Sequence, residues 1–191
     1  HAGPGSGSAV LLPSAPVAAG STGTWNVTYT AAEDFSIGKG GTVEIVIPTG
    51  WTLPQKTVPT SAGYVNWTDQ SKVDSVSITG YTIRVYLGGP PHGGSVSTKF
   101  LQGNSVSVLY GVGGGGALAR AQTTAPATAV FSVLSDPLLA GTAVLLVSGS
   151  PSLSVVPGAV ASVRIVDSTL TAVGDLTRTT DQDNTRLYLR G

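Results

Sequence analysis

Apolar and polar residues alternate along most of this chain with a period of two. From Thr24 to Thr30, Trp25, Val27 and Tyr29 fall on one side, and Asn26, Thr28 and Thr30 on the other. This is the pattern of a strand with one face in a core and one in water. The alternation recurs at Val43/Ile45/Ile47, Val76/Ile78, Tyr81/Ile83/Val85/Leu87, Val106/Val108/Tyr110 and Phe131/Val133, each run bounded by Gly, Pro, Ser or Asn. No segment carries a helical apolar stripe. Thr79-Gly80, between two alternating runs, predicts a hairpin turn, and the Gly/Pro stretch around His92 predicts an exposed loop.

Many short strands separated by regular turn signals predict an all-β chain, an antiparallel immunoglobulin-like β-sandwich over residues 8–156. Ala143 to Val147 breaks the pattern by being apolar on both faces. It predicts a central core strand covered on both sides, or else a strand lying in an interface. Ser8 to Leu12 fits either the first strand of this sandwich or a strand given to a neighbour.

Residues 157–191 predict a C-terminal two-stranded extension. Its strand-like runs are Ala161 to Val166 and Thr185 to Arg190, separated by polar turn residues around Gly174-Asp175 and from Asp181 to Asn184. Ordering a residue costs about 1–2 kcal/mol of backbone entropy, and an isolated hairpin is marginal in water. The extension therefore needs a partner: its own body, a neighbouring copy or a following module. Val163, Ile165, Leu187 and Leu189 alternate with polar or charged residues and are the expected subunit-interface anchors.

Gly23 to Ala31, Val46 to Trp51, Ala62 to Val65 and Val108 to Gly111 resemble the immunoglobulin-like modules repeated along large prokaryotic surface and adhesin proteins. The resemblance covers roughly residues 8–156, and it rests mainly on Trp, Tyr, Gly and Pro at strand ends. It implies an extracellular sandwich that builds stalks, layers or fibres, with no family-wide catalytic residue. The segment from Val160 to Gly191 resembles the opening strands of a further module of similar kind.

Charge changes the range of partners. Charged residues make up 10% of the 191 positions, ten basic against ten acidic, with no Lys/Arg run. Neither nucleic acid nor anionic lipid is expected as a partner. No apolar stretch approaches the roughly 20 residues of a membrane-spanning helix. A start at His1 with no Met anywhere reads as a secreted chain whose leader has been removed, or as an excised fragment. The expected location is extracellular or at the cell surface.

The residues offer little chemistry. There are two histidines and no cysteine, which rules out a zinc finger and a thiol nucleophile. A Ser-His-Asp triad would have to use His92, and no serine sits in a Gly-x-Ser-x-Gly elbow. The glycine run from Gly111 to Gly116 lacks the Gly-Lys-Ser/Thr ending of a phosphate loop and reads as a connection between strands. Glu33-Asp34 reads as a solvated turn. Asp181, Asp183 and Asn184 have the oxygen ligands for calcium, against a plain polar turn. The expectation is a chain with no catalytic residue, no metal and no cofactor. Two sequons, Asn26-Val-Thr28 and Asn66-Trp-Thr68, are candidate glycosylation sites at outward positions.

Three function classes follow. The first is a secreted filament or pilus-like subunit that donates tail strands to the next copy by β-augmentation, so that its partners are copies of itself joined head to tail. Basic Arg164, Arg178, Arg186 and Arg190 in the tail, against acidic Glu33, Asp34, Glu44, Asp69 and Asp74 in the first half, fit that contact. The alternative is a stalk or adhesin segment of a larger surface protein, with cell-surface or carbohydrate contacts. An enzyme or carbohydrate-binding module is weakest, because no aromatic cluster forms a sugar platform.

Overall fold

The computed structural model describes residues 3–36, 39–88 and 99–159, and the backbone of Val163–Val166 and Ala172–Leu176. Among these the chain is all-β. The strands are β1 (Ser8–Leu12), β2 (Val17–Ala18), β3 (Thr22–Gly23), β4 (Trp25–Thr30), β5 (Gly41–Val46), β6 (Val65–Trp67), β7 (Val73–Thr79), β8 (Thr82–Leu87), β9 (Ser105–Tyr110), β10 (Ala119–Arg120), β11 (Ala127–Val130), β12 (Ser132–Asp136), β13 (Val144–Leu145), β14 (Ser152–Val156), β15 (Val163–Val166) and β16 (Ala172–Leu176). The chain divides into two compact units, His1–Pro157 and Gly158–Gly191.

The first unit is built on a four-stranded sheet in the order β1-β4-β9-β6 and a five-stranded sheet in the order β13-β12-β5-β8-β7, both antiparallel. Trp25, Val27 and Tyr29 of β4 are buried, as are Val106, Val108 and Tyr110 opposite them on β9. From the five-stranded sheet come Val43, Ile45, Ile83, Val85 and Val133, and all of these side chains belong to one core. The period-two pattern thus supplies the inner faces of a β-sandwich. Burying each such side chain contributes about 1.5–3 kcal/mol, so the alternation dictates the fold.

Aromatic rings fill the core at both ends of β4. Trp25 packs edge-on to Trp51, with ring centroids 4.6 Å apart, and Trp51 packs edge-on to Phe131 at 5.2 Å. At the other end Phe35 and Phe100 meet at 5.0 Å, beside Tyr29. Trp51, Phe35 and Phe100 lie outside alternating runs, so periodicity could not place them in the core.

Several elements differ from the sequence-based expectation. The run around Phe131 and Val133 is two strands: β11 pairs with β14, then β12 pairs with β5. The chain changes sheets at Phe131, whose buried ring sits at the corner. β14 also pairs with β2 in parallel, Val155 opposite Val17, a departure from a purely antiparallel sandwich. Ala143 to Val147 is not a central strand. β13 is an edge strand in which Val144 and Leu145 are exposed, and of the run's large apolar residues only Leu146 is buried. Ser8 to Leu12 is the first strand of its own sandwich, paired over five residues with β4.

In the second unit β15 pairs antiparallel with β16, Val163 opposite Leu176 and Ile165 opposite Gly174, with an irregularity after Ile165. The segment around Gly174-Asp175 is therefore a strand and not a turn. A partner that begins six residues after Val166 closes a smaller loop, at lower entropy cost, than one beginning at Thr185. The run Thr185 to Arg190 lies outside the described residues.

Candidate functional site

The strands leave sheet edges, and these are treated differently on the two sides of the sandwich. An edge strand presents unpaired main-chain groups that template the addition of another strand. On the β7 side the edge is blocked. Lys56 Nζ donates to the carbonyl of Val76 at mid-strand, the register shifts between Val73 and Ser75, and Asp69 pairs with Lys72 at 3.2 Å beside the strand's start. The neighbouring β8 carries Arg84, paired across the sheet with Glu44 at 2.7 Å. Charge, a bulge and a capping lysine are the usual means of preventing edge-to-edge association.

The opposite side carries β1 and β13. The segment before β1 ties the two sheets together there. Gly5 N–H donates to Ser135 O at 3.0 Å, Val147 N–H to Gly5 O at 2.9 Å, and Ser148 Oγ to Gly7 O at 2.8 Å. Tyr29 OH and Ser135 Oγ both donate to Ser6 O, at 3.0 and 2.7 Å. A β-carbon on Gly7 would lie 2.4 Å from the Tyr29 ring, so only glycine lets the chain close the sandwich at this point.

No Asp, Glu, Lys or Arg occurs from Ala2 to Ala32 or from Pro137 to Val163. Among the described residues, these two stretches therefore expose no charged side chain on this flank, and they are rich in exposed apolar ones. Val10 is 55% and Leu12 57% exposed on β1, Leu145 is 54% exposed, and Val147 is 90% exposed. Leu138 and Leu139 add to them from the loop before β13. That loop is held by the buried Asp136, whose carboxylate accepts N–H groups from Leu138 at 3.3 Å, Ala140 at 3.0 Å and Gly141 at 3.0 Å. Leu139 sits at φ 49°, an unfavourable region for a branched side chain. A concentration of exposed apolar groups marks an interaction surface more often than bare solvent exposure.

Glu33 borders this flank, its carboxylate accepting Ser6 Oγ at 2.7 Å, and no Lys or Arg pairs with it among the described residues. Asp34 instead accepts the N–H of Gln102 at 2.7 Å, so the two adjacent carboxylates do not form an acid/base pair.

The other sequence-derived candidates separate cleanly. Asn26 and Asn66 both stand opposite Leu109, on strands either side of it, so the two sequons share one row of the outer face of the four-stranded sheet. Hydroxyl pairs continue that face, Thr28 with Ser107 and Thr30 with Ser105, each at 2.7 Å. Val163 and Ile165 occupy alternate positions of β15. Leu187, Leu189, Asp181, Asp183, Asn184 and His92 lie outside the described residues. Among those described, no group of three or more His, Cys, Asp or Glu is placed to hold a metal, and no helix is long and apolar enough to cross a membrane. The glycine run connects strands and is packed at Gly113, where a β-carbon would lie 2.2 Å from Pro59 O, but open at Gly115, where one would meet nothing within 4 Å. Sequence reasoning missed Lys56, Asp136 and Val10. The lysine and aspartate act through main-chain partners distant in sequence or folded back locally, and β1 was legible as a strand but not as an edge.

No family model matches the chain, and no curated protein matches it. Among solved structures it is similar to AvmM, which catalyses macrocyclisation in alchivemycin A biosynthesis, at 12% identity over 82% of this chain and 92% of that one, with a TM-score of 0.39. It is also similar to a non-cellulosomal cohesin from the hyperthermophilic archaeon Archaeoglobus fulgidus, at 12% identity over 79% and 91% of the two chains, with a TM-score of 0.36. Likeness at that level carries no function, and the β-sandwich stands on the chain's own strand pairing and shared core.

Proposed function

We propose that the chain is a secreted, non-catalytic structural subunit of an extracellular filament, joined to its neighbours by strands of the tail. One observation carries this reading: the edge at β7 is guarded by Lys56, a bulge and flanking charge, whereas the flank of β1 and β13 is charge-free and exposes Val10, Leu12, Leu145 and Val147. A monomer that must stay apart has reason to guard both sides. The tail hairpin supports the same reading, because two strands gain stability by joining a larger sheet. Electron microscopy of the purified full chain in negative stain tests it: fibres are expected, and uniformly dispersed single particles would refute it.

A second reading is favoured by the division into two compact units, the second with a strand pair of its own. In it the chain is a stalk or adhesin segment of a larger cell-surface protein, with β15 and β16 belonging to a following module. Dispersed particles in the same images are its expected result.

A further inference from the structure

We infer that the acceptor in this assembly is the outer edge of β1, and that its occupant is β15 of a second copy. The inference rests on the filament reading above and names the two surfaces that meet.

Among the described residues, β1 is the five-residue edge strand that carries no charge, no bulge and no capping lysine. Its inward residue Leu11 is already buried in its own core, so an added strand would not disturb the sandwich. The outward residues Val10 and Leu12 are left for cross-strand pairs with the newcomer. β13 is a poorer acceptor for main-chain pairing, because Gly5 already takes the N–H of Val147 and lies against Leu145 O. Its exposed side chains instead widen the apolar surface beside the site.

Two features choose the occupant. In β15, Val163 and Ile165 alternate with Arg164, the first charged residue after Asp136. On the acceptor, Glu33 lies hydrogen-bonded to Ser6, two residues before β1 begins, without a cationic partner among the described residues. A strand bearing one arginine among apolar residues therefore complements a charge-free edge with one carboxylate at its end. Among the described residues, β15 pairs with β16 on one side only.

The test uses the full chain in two parts. Sedimentation across a concentration series compares the parent with Val10→Lys, which places an ammonium on the β1 edge, and with Ser77→Lys on the guarded β7 edge; circular dichroism checks that each variant is folded. Val10 is largely exposed and Ser77 is exposed, so neither change burdens the core. The parent and Ser77→Lys are expected to assemble, and Val10→Lys to need at least tenfold higher concentration. In the second part, copies carrying only Val10→Cys are mixed with copies carrying only Ile165→Cys or only Val163→Cys under mild oxidation, the parent having no cysteine. Disulfide-linked dimers of the two kinds are expected. If the parent assembles but Val10→Lys assembles equally well, the acceptor is wrong while the filament reading stands. If Val10→Lys blocks assembly but only Val10→Cys copies link to one another, the occupant is wrong. A parent that stays monomeric at every concentration overturns the filament reading and this inference together.

Discussion

The ammonium of Lys56 donates a hydrogen bond to the main-chain carbonyl of Val76, across twenty residues of sequence, in the middle of the edge strand β7. The bond stops the five-stranded sheet from offering that carbonyl to another chain. Among the described residues its partner sheet has no such device on β1, and that asymmetry is the basis for reading the molecule as a directional building block.

Lys56→Ala should consequently change association more than stability. The side chain is exposed, so losing the bond should cost no more than about 1 kcal/mol. Light scattering at matched concentration should show additional, less regular aggregates from the newly available β7 edge. Unchanged scattering would mean that the bulge and flanking charges guard the edge without the lysine.

Tyr29 gives a pH signature. Burial pushes its hydroxyl up from 10.0 to about 12, a rise partly opposed by its hydrogen bonds to Ser135 and Ser6 and reinforced by the nearby Glu33 carboxylate. The folded state thus holds the phenol proton more tightly than the unfolded chain. Its contribution is complete below pH 10 and disappears as pH rises through about 12. At 1.36 kcal/mol per pKa unit this amounts to about 2–3 kcal/mol. Unfolding free energies measured between pH 9 and 12 should fall steeply, and Tyr29→Phe should flatten the fall, with a loss of about 1 kcal/mol at neutral pH. Tyr110, also buried and raised, adds to the decline in the same direction.

Asp136→Ala should cost about 2–3 kcal/mol, since its buried carboxylate holds three N–H groups of the loop before β13. Denaturant titration measures this. The same variant should increase hydrogen exchange at Ala140 and Gly141 before any global opening, because it releases the loop that presents Leu138 and Leu139.

Most of the inner faces were legible in the chain because alternation and burial are the same fact seen twice. Trp25, Val27 and Tyr29 needed no tertiary information to be placed. Ala143 to Val147 misled for a physical reason. An apolar run has the same composition whether the fold covers it or leaves it at an edge, and only pairing with β12 on one side and Gly5 beside it reveals the edge. The sheet change at Phe131 was equally hidden, since a corner keeps the local period of a strand. The guarded and unguarded edges could not be read at all, because Lys56 finds Val76 only after the sheets have formed.

Gly113→Ala and Gly114→Ala separate a packed connection from a loose one. At Gly113 the added carbon would meet Pro59 O at 2.2 Å, whereas at Gly114 the nearest atom is a methyl of Thr60 at 3.7 Å. Thermal unfolding should show a loss of about 1–3 kcal/mol for the first and a change within about 0.5 kcal/mol for the second.

The central claim is that the tail joins one copy to the next. Sedimentation velocity of the full chain beside the double variant Ile165→Asp, Leu187→Asp measures this directly. The account predicts that the parent forms species growing with concentration, while the variant, its apolar anchors replaced by charge, sediments as a single folded 19.1 kDa monomer. Equal assembly by both chains, or a parent that remains monomeric throughout, would contradict it.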